Sequence, residues 1–304
     1  MTRPIAVIGA TGQIATTLQR LAKKRGAEFV VGGRPDVDIT SMESVAAFLD
    51  SVTPSIVINA AAYTEVDKAQ DEGKDLAFSV NAEGPSRLAV LCAVSNIPLV
   101  HISTDYVFNG LKGAPYVEED ELAPLNLYGA SKAAAETGIR AAGGNHIILR
   151  TQWVYGPNGS NFAKTMLRLG QERDEVRVVN DQIGAPTSSE EIAEALLDIC
   201  ATVGDGAPED HWGTFHMVAG GMTTWYGFAA EIFRLAHEAG LKTPKLTAIG
   251  TLDYPTSAMR PPAAVLATDK LQKIYGIEPK PWDETLARIF PEILASMSAI
   301  ETAD

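Results

Sequence analysis

Short apolar runs without polar alternation, each followed by a helical pattern, constrain this chain more than any other feature. Ile5 to Gly9, Glu28 to Val31, Ile56 to Ala60, Leu99 to Ser103 and Ile147 to Arg150 read as strands. Between them lie helical patterns over Gln13 to Arg25, Val45 to Ser51, Val80 to Ser95 and Ser131 to Ala142. A strand buried on both faces is apolar at nearly every position, and crossover helices cover those faces. The pattern predicts an α/β fold, a doubly wound parallel sheet of the Rossmann type. Ligands of such sheets bind outside the carboxyl ends of the strands.

Beyond Thr151 the rhythm breaks. Stretches rich in Gly, Pro and Asn (Tyr155 to Asn161, Asn180 to Thr187, Gly204 to Asp210, Tyr254 to Pro262) separate helical patterns near Phe162 to Glu172, Ser189 to Ala201, Trp225 to Ala239 and Thr285 to Ser296. Residues 1–150 are read as one domain and 151–304 as a smaller, discontinuous C-terminal α/β lobe that supplies substrate walls. Val176 to Val179 and Gly213 to Val218 are expected to return to the main sheet. The 25 basic and 38 acidic residues give a net charge of -13, which argues against nucleic acid or an anionic membrane as partner. Cys92 and Cys200 fall inside apolar helical patterns and are read as reduced, buried thiols. With no leader-like or spanning apolar stretch, a cytoplasmic location is expected.

Gly9-x-x-Gly12-x-x-Ala15 joins the first strand to the first helix. Glycines there allow a tight turn and let backbone N–H groups at the helix N-terminus approach a pyrophosphate. Gly9, Thr11, Gly12, Gln13 and Ile14 are therefore the candidate cofactor turn, and residues 1–150 the candidate dinucleotide-binding domain. Arg34 follows the second strand, where no acidic residue stands. It is read either as the partner of a 2′-phosphate, favouring NADPH over NADH, or as a solvated loop cation. Ala60, Ala61 and Ala62 end the third strand with small side chains, which suits a cofactor close to the backbone or plain packing.

Tyr128 and Lys132 stand four residues apart, a spacing that puts both on one helix face. A lysine cation there is expected to lower the phenol pKa and make the tyrosine a proton relay. Thr104 ends the fourth strand. Period-2 alternation points Ser103 and Thr104 to opposite sides, and Thr104 is preferred as the hydroxyl in the site. Hydride delivery to a carbonyl leaves an alkoxide-like oxygen, which a positioned acid stabilises. Trp153 is read as stacking on a ring or packing a lobe junction, and Arg260 as a phosphate grip or a surface ion pair. The acidic run Glu118 to Glu121 is read as a solvated loop face.

Longer strings carry a family resemblance: Ala61-Ala62-Tyr63-Thr64-Glu65-Val66-Asp67-Lys68-Ala69, Ser103-Thr104-Asp105-Tyr106-Val107-Phe108-Asn109-Gly110, Tyr128-Gly129-Ala130-Ser131-Lys132 and Asp181-Gln182-Ile183-Gly184-Ala185-Pro186-Thr187. With these the chain resembles the dTDP-4-dehydrorhamnose reductases of the extended short-chain dehydrogenase/reductase superfamily over nearly its full length. The resemblance implies NAD(P)H-dependent reduction of the 4-keto group of a dTDP-linked 6-deoxy sugar, with Thr104, Tyr128 and Lys132 catalytic. It implies Asp38 and Ile39 against the adenine, and Val107, Phe108, Trp153 and Arg260 on the substrate side. Some members bridge a homodimer through Mg²⁺ held by carboxylates, for which Glu190 and Glu292 are the weak candidates here.

Gln152 replaces a common Ser or Thr, Ala263-Ala264 replace a common Asn-Ser pair, and Ala15 stands where a glycine is usual. Two other readings stay open: a reductase or epimerase for another nucleotide-linked keto sugar, and a non-catalytic, cofactor-binding regulatory subunit resembling that of methionine adenosyltransferase.

Overall fold

A computed structural model describes residues 3–203 and 206–301, with the side chains of 298–301 left aside. Gly204 and Asp205, which open one of the expected loops, lie outside the described residues. The chain begins as β1 (Ile5–Ile8), α1 (Gln13–Arg25), β2 (Phe29–Gly32), α2 (Met42–Val52) and β3 (Ile56–Asn59). Short helices α3 (Val66–Gln70) and α4 (Lys74–Phe78) lead into α5 (Gly84–Val94), β4 (Leu99–Thr104), α6 (Leu127–Ala141) and β5 (His146–Thr151). Then come β6 (Val154–Tyr155), α7 (Phe162–Glu172), β7 (Glu175–Val179), β8 (Ile183–Gly184), β9 (Thr187–Ser188), α8 (Ser189–Thr202) and β10 (Gly213–His216). The last elements are β11 (Thr223–Thr224), α9 (Trp225–Glu238), β12 (Lys245–Ile249), α10 (Asp269–Tyr275) and α11 (Trp282–Glu301).

The main sheet runs β10-β5-β4-β3-β1-β2, parallel throughout, so the expected doubly wound plan is present. Apolar residues cover both faces. Leu18, Leu21, Ile192 and Leu196 from α1 and α8 pack on one side; Val45, Phe48, Leu88 and Ala89 from α2 and α5 pack on the other. Each such Val, Leu, Ile or Phe side chain withdrawn from water contributes about 1.5–3 kcal/mol. Helix α1 stops at Gly26, whose left-handed backbone caps the carbonyls of Ala22 and Lys23, and its basic last turn suits the helix dipole.

Two expectations need correction. The first concerns Val176 to Val179, expected in the main sheet. Gly213–His216 does join that sheet beside β5, but β7 pairs instead with β12 in a separate two-stranded sheet. The reason is visible in β7 itself: Glu175 and Arg177 are exposed while Val176 and Val178 are buried in a cluster with Phe228 and Ile232 of α9. Such alternation suits a sheet with one wet face, not the doubly covered centre.

The second concerns the helix read over Val80 to Ser95. Ser79–Glu83 form a π-helical turn before α5. Asn81 sits in it, fully buried, bonding Tyr63 N, Tyr63 O and Ser131 Oγ. A polar side chain that must reach three partners favours the wider turn, a form common near functional sites.

Candidate active site

The carboxyl ends of β1, β3, β4 and β5 open onto a cavity of about 580 Å³. On one side stands the glycine turn. Gly9 has φ +109°, and a Cβ there would lie 2.6 Å from Ala61 N, so only glycine fits. Gly12 caps α1 in extended conformation with no side-chain hydrogen bond, leaving the first N–H groups of the helix for an anion. Thr11, Gly12, Gln13, Ile14 and Ala60 to Ala62 all line the cavity. This cradle of small residues and free helix N–H groups fits a dinucleotide pyrophosphate.

Three expected cofactor residues lie off the cavity wall. Arg34 is exposed beyond β2. The Asp38 carboxylate accepts from Thr40 N at 2.9 Å and Thr40 Oγ1 at 2.8 Å, bonds that lower its pKa. Ile39 is 5% exposed and packs in the core under α5.

The opposite wall comes from α6. Asn126 caps it by accepting from Gly129 N at 2.8 Å, so the helix begins at Leu127, a turn earlier than its apolar pattern suggests. That cap places Tyr128 and Lys132 one helical turn apart on the cavity wall. Thr104 lines the cavity beside them, its hydroxyl near enough to the Tyr128 phenol to favour the phenolate. Ser103 Oγ donates to Glu136 Oε1 at 2.7 Å instead, as the alternation of β4 predicts.

The expected pKa coupling is corrected here. Burial, then the nearby Asp105 carboxylate, push the Tyr128 phenol up to about 12, outweighing the opposing influence of the Thr104 hydroxyl. Lys132 does not reverse this because its Nζ is turned away: it donates to Ile102 O at 2.6 Å and lies 3.0 Å from His101 Nε2. Burial lowers Lys132 itself to about 8. His101 is held from its other nitrogen by Asn59 Nδ2 at 3.0 Å, and burial followed by the Lys132 charge keeps it well below the usual imidazole range.

Asp105 escaped the sequence reading. It is 3% exposed and buried beside Thr104, whose Oγ1 lies 3.0 Å from Asp105 Oδ1. Burial raises its carboxyl to about 7 despite hydrogen bonds from Thr104 and Gln152 that oppose the shift. Its neighbour across the cavity floor is Gln152, the residue that departs from the family pattern. Gln152 Nε2 donates to Asp105 Oδ2 at 3.0 Å and to Ala264 O at 3.2 Å, and Gln152 Oε1 accepts from Ala185 N at 3.0 Å.

Trp153 does reach the cavity, and it also packs against a helix from further along the chain. Its backbone is left-handed at φ +46°, unusual for a bulky residue, and its indole stacks on Trp225 of α9 at 3.6 Å between centroids. Trp225 went unnoticed in the sequence; its Nε1 donates to Gln182 Oε1 at 3.2 Å, within the Asp181-Gln182 string. The Thr151 hydroxyl lines the same cavity and, among the described residues, has no hydrogen-bond partner.

Four other expectations meet different surroundings. Val107 and Phe108 are wholly buried, Phe108 stacked on Tyr116, so neither side chain reaches the cavity. The Arg260 guanidinium is engaged by Asp67 at 2.5 and 2.6 Å, which brings α3 and the C-terminal loop together. Glu118, read as part of a solvated face, is buried and accepts from His216 N at 3.2 Å.

The Mg²⁺ expectation is corrected. Arg20 at 3.1 Å and Arg288 at 2.9 Å already neutralise Glu190, and Glu292 stands 4.0 Å from Arg20. No group of three or more metal-capable side chains occurs among the described residues. Carboxylates answered by guanidinium groups do not fit a divalent cation.

A parallel sheet, a glycine turn and a Thr/Tyr/Lys grouping on one cavity define an oxidoreductase of the short-chain dehydrogenase/reductase class. The chain belongs to the dTDP-4-dehydrorhamnose reductase family: the family model for the RmlD substrate binding domain matches residues 2–295. It is 40% identical over 285 residues to a dTDP-4-dehydrorhamnose reductase of Sinorhizobium fredii, covering 94% of this chain and 96% of that one. A crystal structure of a dTDP-4-dehydrorhamnose reductase from Clostridium acetobutylicum superposes with a TM-score of 0.87 at 38% identity, covering 95% of this chain and 98% of that one. The Bacillus anthracis enzyme of the same name, solved in complex with NADP, gives 0.88 at 34% identity and covers 96% of this chain and 100% of that one.

No helix among the described residues is long and apolar enough to cross a membrane.

Proposed function

We propose that this protein uses NADPH to reduce the 4-keto group of dTDP-4-dehydro-L-rhamnose, giving dTDP-L-rhamnose. One observation carries the reading: a single cavity is lined by the glycine turn, by Thr104, Tyr128 and Lys132, and by the Trp153–Trp225 stack. When bound, the nicotinamide supplies the hydride. Tyr128 donates the proton to the oxygen that becomes negative, and its high pKa keeps that proton in place until the oxygen needs it. Thr104 holds the phenol in line. Lys132, which lines the cavity on the same helix face, would hold the ribose hydroxyls, and the paired indoles would offer a flat apolar wall to the sugar. Arg34, exposed beyond β2 at the expected adenosine end, is assigned to the 2′-phosphate. Free Cys92 and Cys200 suit the reducing cytoplasm.

The deciding experiment is NADPH oxidation with dTDP-4-dehydro-L-rhamnose, the product identified by NMR. Formation of dTDP-L-rhamnose supports both chemistry and sugar; absence of turnover with intact NADPH binding refutes the sugar assignment. Arg34→Ala should weaken NADPH by about 1.5–3 kcal/mol while sparing NADH, the worth of a hydrogen bond to a charged group. Equal loss on both cofactors, measured by fluorescence titration, would remove Arg34 from the 2′-phosphate.

A further inference from the structure

The reductive reading leaves one buried acid unused. Asp105 ends β4 beside Thr104, is nearly inaccessible, and has no arginine or lysine partner among its hydrogen bonds. Its two oxygens face different neighbours: Oδ2 accepts from Gln152 Nε2, while Oδ1 lies 3.0 Å from Thr104 Oγ1. Thr104 Oγ1 in turn accepts from Tyr106 N at 3.2 Å and shares the cavity wall with Tyr128, near enough to lower the phenol pKa. A hydroxyl has one proton to give and two lone pairs with which to accept. Since the Tyr106 N–H only donates, where the Thr104 proton points depends on Asp105. With Asp105 ionised, the Thr104 proton points at Oδ1, and none is left to donate toward Tyr128. With Asp105 protonated on Oδ1, the acid donates to Thr104, and the Thr104 proton turns toward the Tyr128 oxygen.

We propose that Asp105, clamped by Gln152, is a positioning residue for the reduction: its proton decides whether the Thr104 hydroxyl donates into the cavity toward Tyr128 or back toward the carboxylate. The consequence is chemical. When Tyr128 gives its proton to the substrate oxygen, a phenolate remains, and a hydroxyl donating to it stabilises that anion as it forms. Asp105 and Thr104 each keep their proton through the step, and Tyr128 recovers one from solvent. An ionised Asp105 withdraws that donor and adds like-charge repulsion, so the reduction should slow.

Gln152 is the second half of the device. Its amide is fully engaged: one N–H holds Asp105, the other Ala264 O, and its carbonyl holds Ala185 N. It thereby fixes Asp105 against two loops of the C-terminal lobe. A serine or threonine hydroxyl has a single proton and could not donate to both Asp105 and Ala264. The charged or titratable groups near Asp105 are few: Tyr128 from α6, Tyr106 next in the chain, and Arg260, whose charge acts on Tyr106. Lys132 Nζ is directed at Ile102 O and His101. Burial without a cationic partner accounts for an acid that titrates near neutrality, at about 7.

The inference rests on the reductase reading for its kinetic arm, so the test has a second arm that needs no substrate. Infrared difference spectra of the full chain, compared between wild type and Asp105→Asn, should show a carboxylic-acid carbonyl band that fades as pH rises through about 7. No such band, or a band unchanged in the variant, would overturn the proposal even if the protein turns over no sugar.

In the kinetic arm, wild-type kcat should fall across the same range with KM unchanged. Asp105→Asn, whose amide donates to Thr104 permanently, should keep a kcat near the acid-side value with a flat profile. Gln152→Met removes one donor to the carboxylate and should move the midpoint to higher pH, a change that a purely structural role would not produce. A wild-type midpoint retained in Asp105→Asn, or unmoved in folded Gln152→Met, would refute it.

Discussion

Ser103 and Thr104 are neighbours on one strand, yet they serve two buried polar clusters of opposite character. On the Ser103 side, the Glu136 carboxylate takes four donors: Ser103 Oγ at 2.7 Å, Arg150 Nε at 3.0 Å and Nη2 at 2.7 Å, and Arg140 Nη2 at 2.8 Å. Burial pushes its pKa up, but the Arg150 bonds and charge pull harder, and the net shift is downward. Arg150 is completed by Glu118 O and His216. On the Thr104 side no such saturation exists. Asp105 rises to about 7, Lys132 drops to about 8, and Tyr128 climbs to about 12, each moved chiefly by burial. A buried charge whose every bond is met stays charged and inert. Left short of charged partners, Asp105 and Lys132 move toward neutrality, where proton chemistry works.

The contrast can be broken from either side. Tyr128→Phe should leave the melting temperature and NADPH affinity intact and lower kcat by roughly 10²–10⁴, the usual worth of acid–base catalysis. Wild-type turnover in that variant would move the acid elsewhere. Glu136→Ala should do the reverse: urea unfolding should show a loss of about 3–5 kcal/mol, because Arg150 is left buried and unpaired. A loss near zero would mean the cluster relaxes by admitting water.

The two hydroxyls sharpen the comparison. Ser103→Ala should cost about 1.5–3 kcal/mol of stability, one hydrogen bond to a charge, with kcat preserved. Thr104→Ala should show the opposite ranking of effects, and equal rankings would erase the distinction.

The smallest effect is in the pH dependence of unfolding. Glu136 has a depressed folded pKa, so its contribution is present above the ordinary carboxylate range and fades as pH falls through the folded value. Asp105 has a raised one, so the native state keeps its proton longer, and stability is lost as pH climbs from the carboxylate range to about 7. Asp105→Asn should remove only the second slope in urea titrations at several pH values; a persisting slope would assign it to another group.

Much of the fold was legible because unbroken apolar strands such as Ile56 to Ala60 admit only one environment, a sheet covered on both faces. Val176 to Val179 misled because its three valines outweighed Arg177, the sign of a wet face that exposed Glu175 continues. The site was legible where local spacing does the work, in Gly9 to Gly12 and in the Tyr128/Lys132 pair. It was not legible where meaning depends on distant partners. Gln152 and Asp105 meet across 47 positions, and Trp225 reaches Trp153 from a separate helix, α9.

The sequence by itself determined the parallel sheet, the glycine turn, the Tyr128/Lys132 pair and the inward choice of Thr104 over Ser103. These follow from backbone geometry over a few residues, which periodicity records. Tertiary structure alone decided the charges. Whether a carboxylate is paired like Glu136, bracketed by arginines like Glu190, or left to titrate like Asp105 depends on what folding brings within about 3 Å and how much water it excludes. Neither quantity is written in the order of the residues.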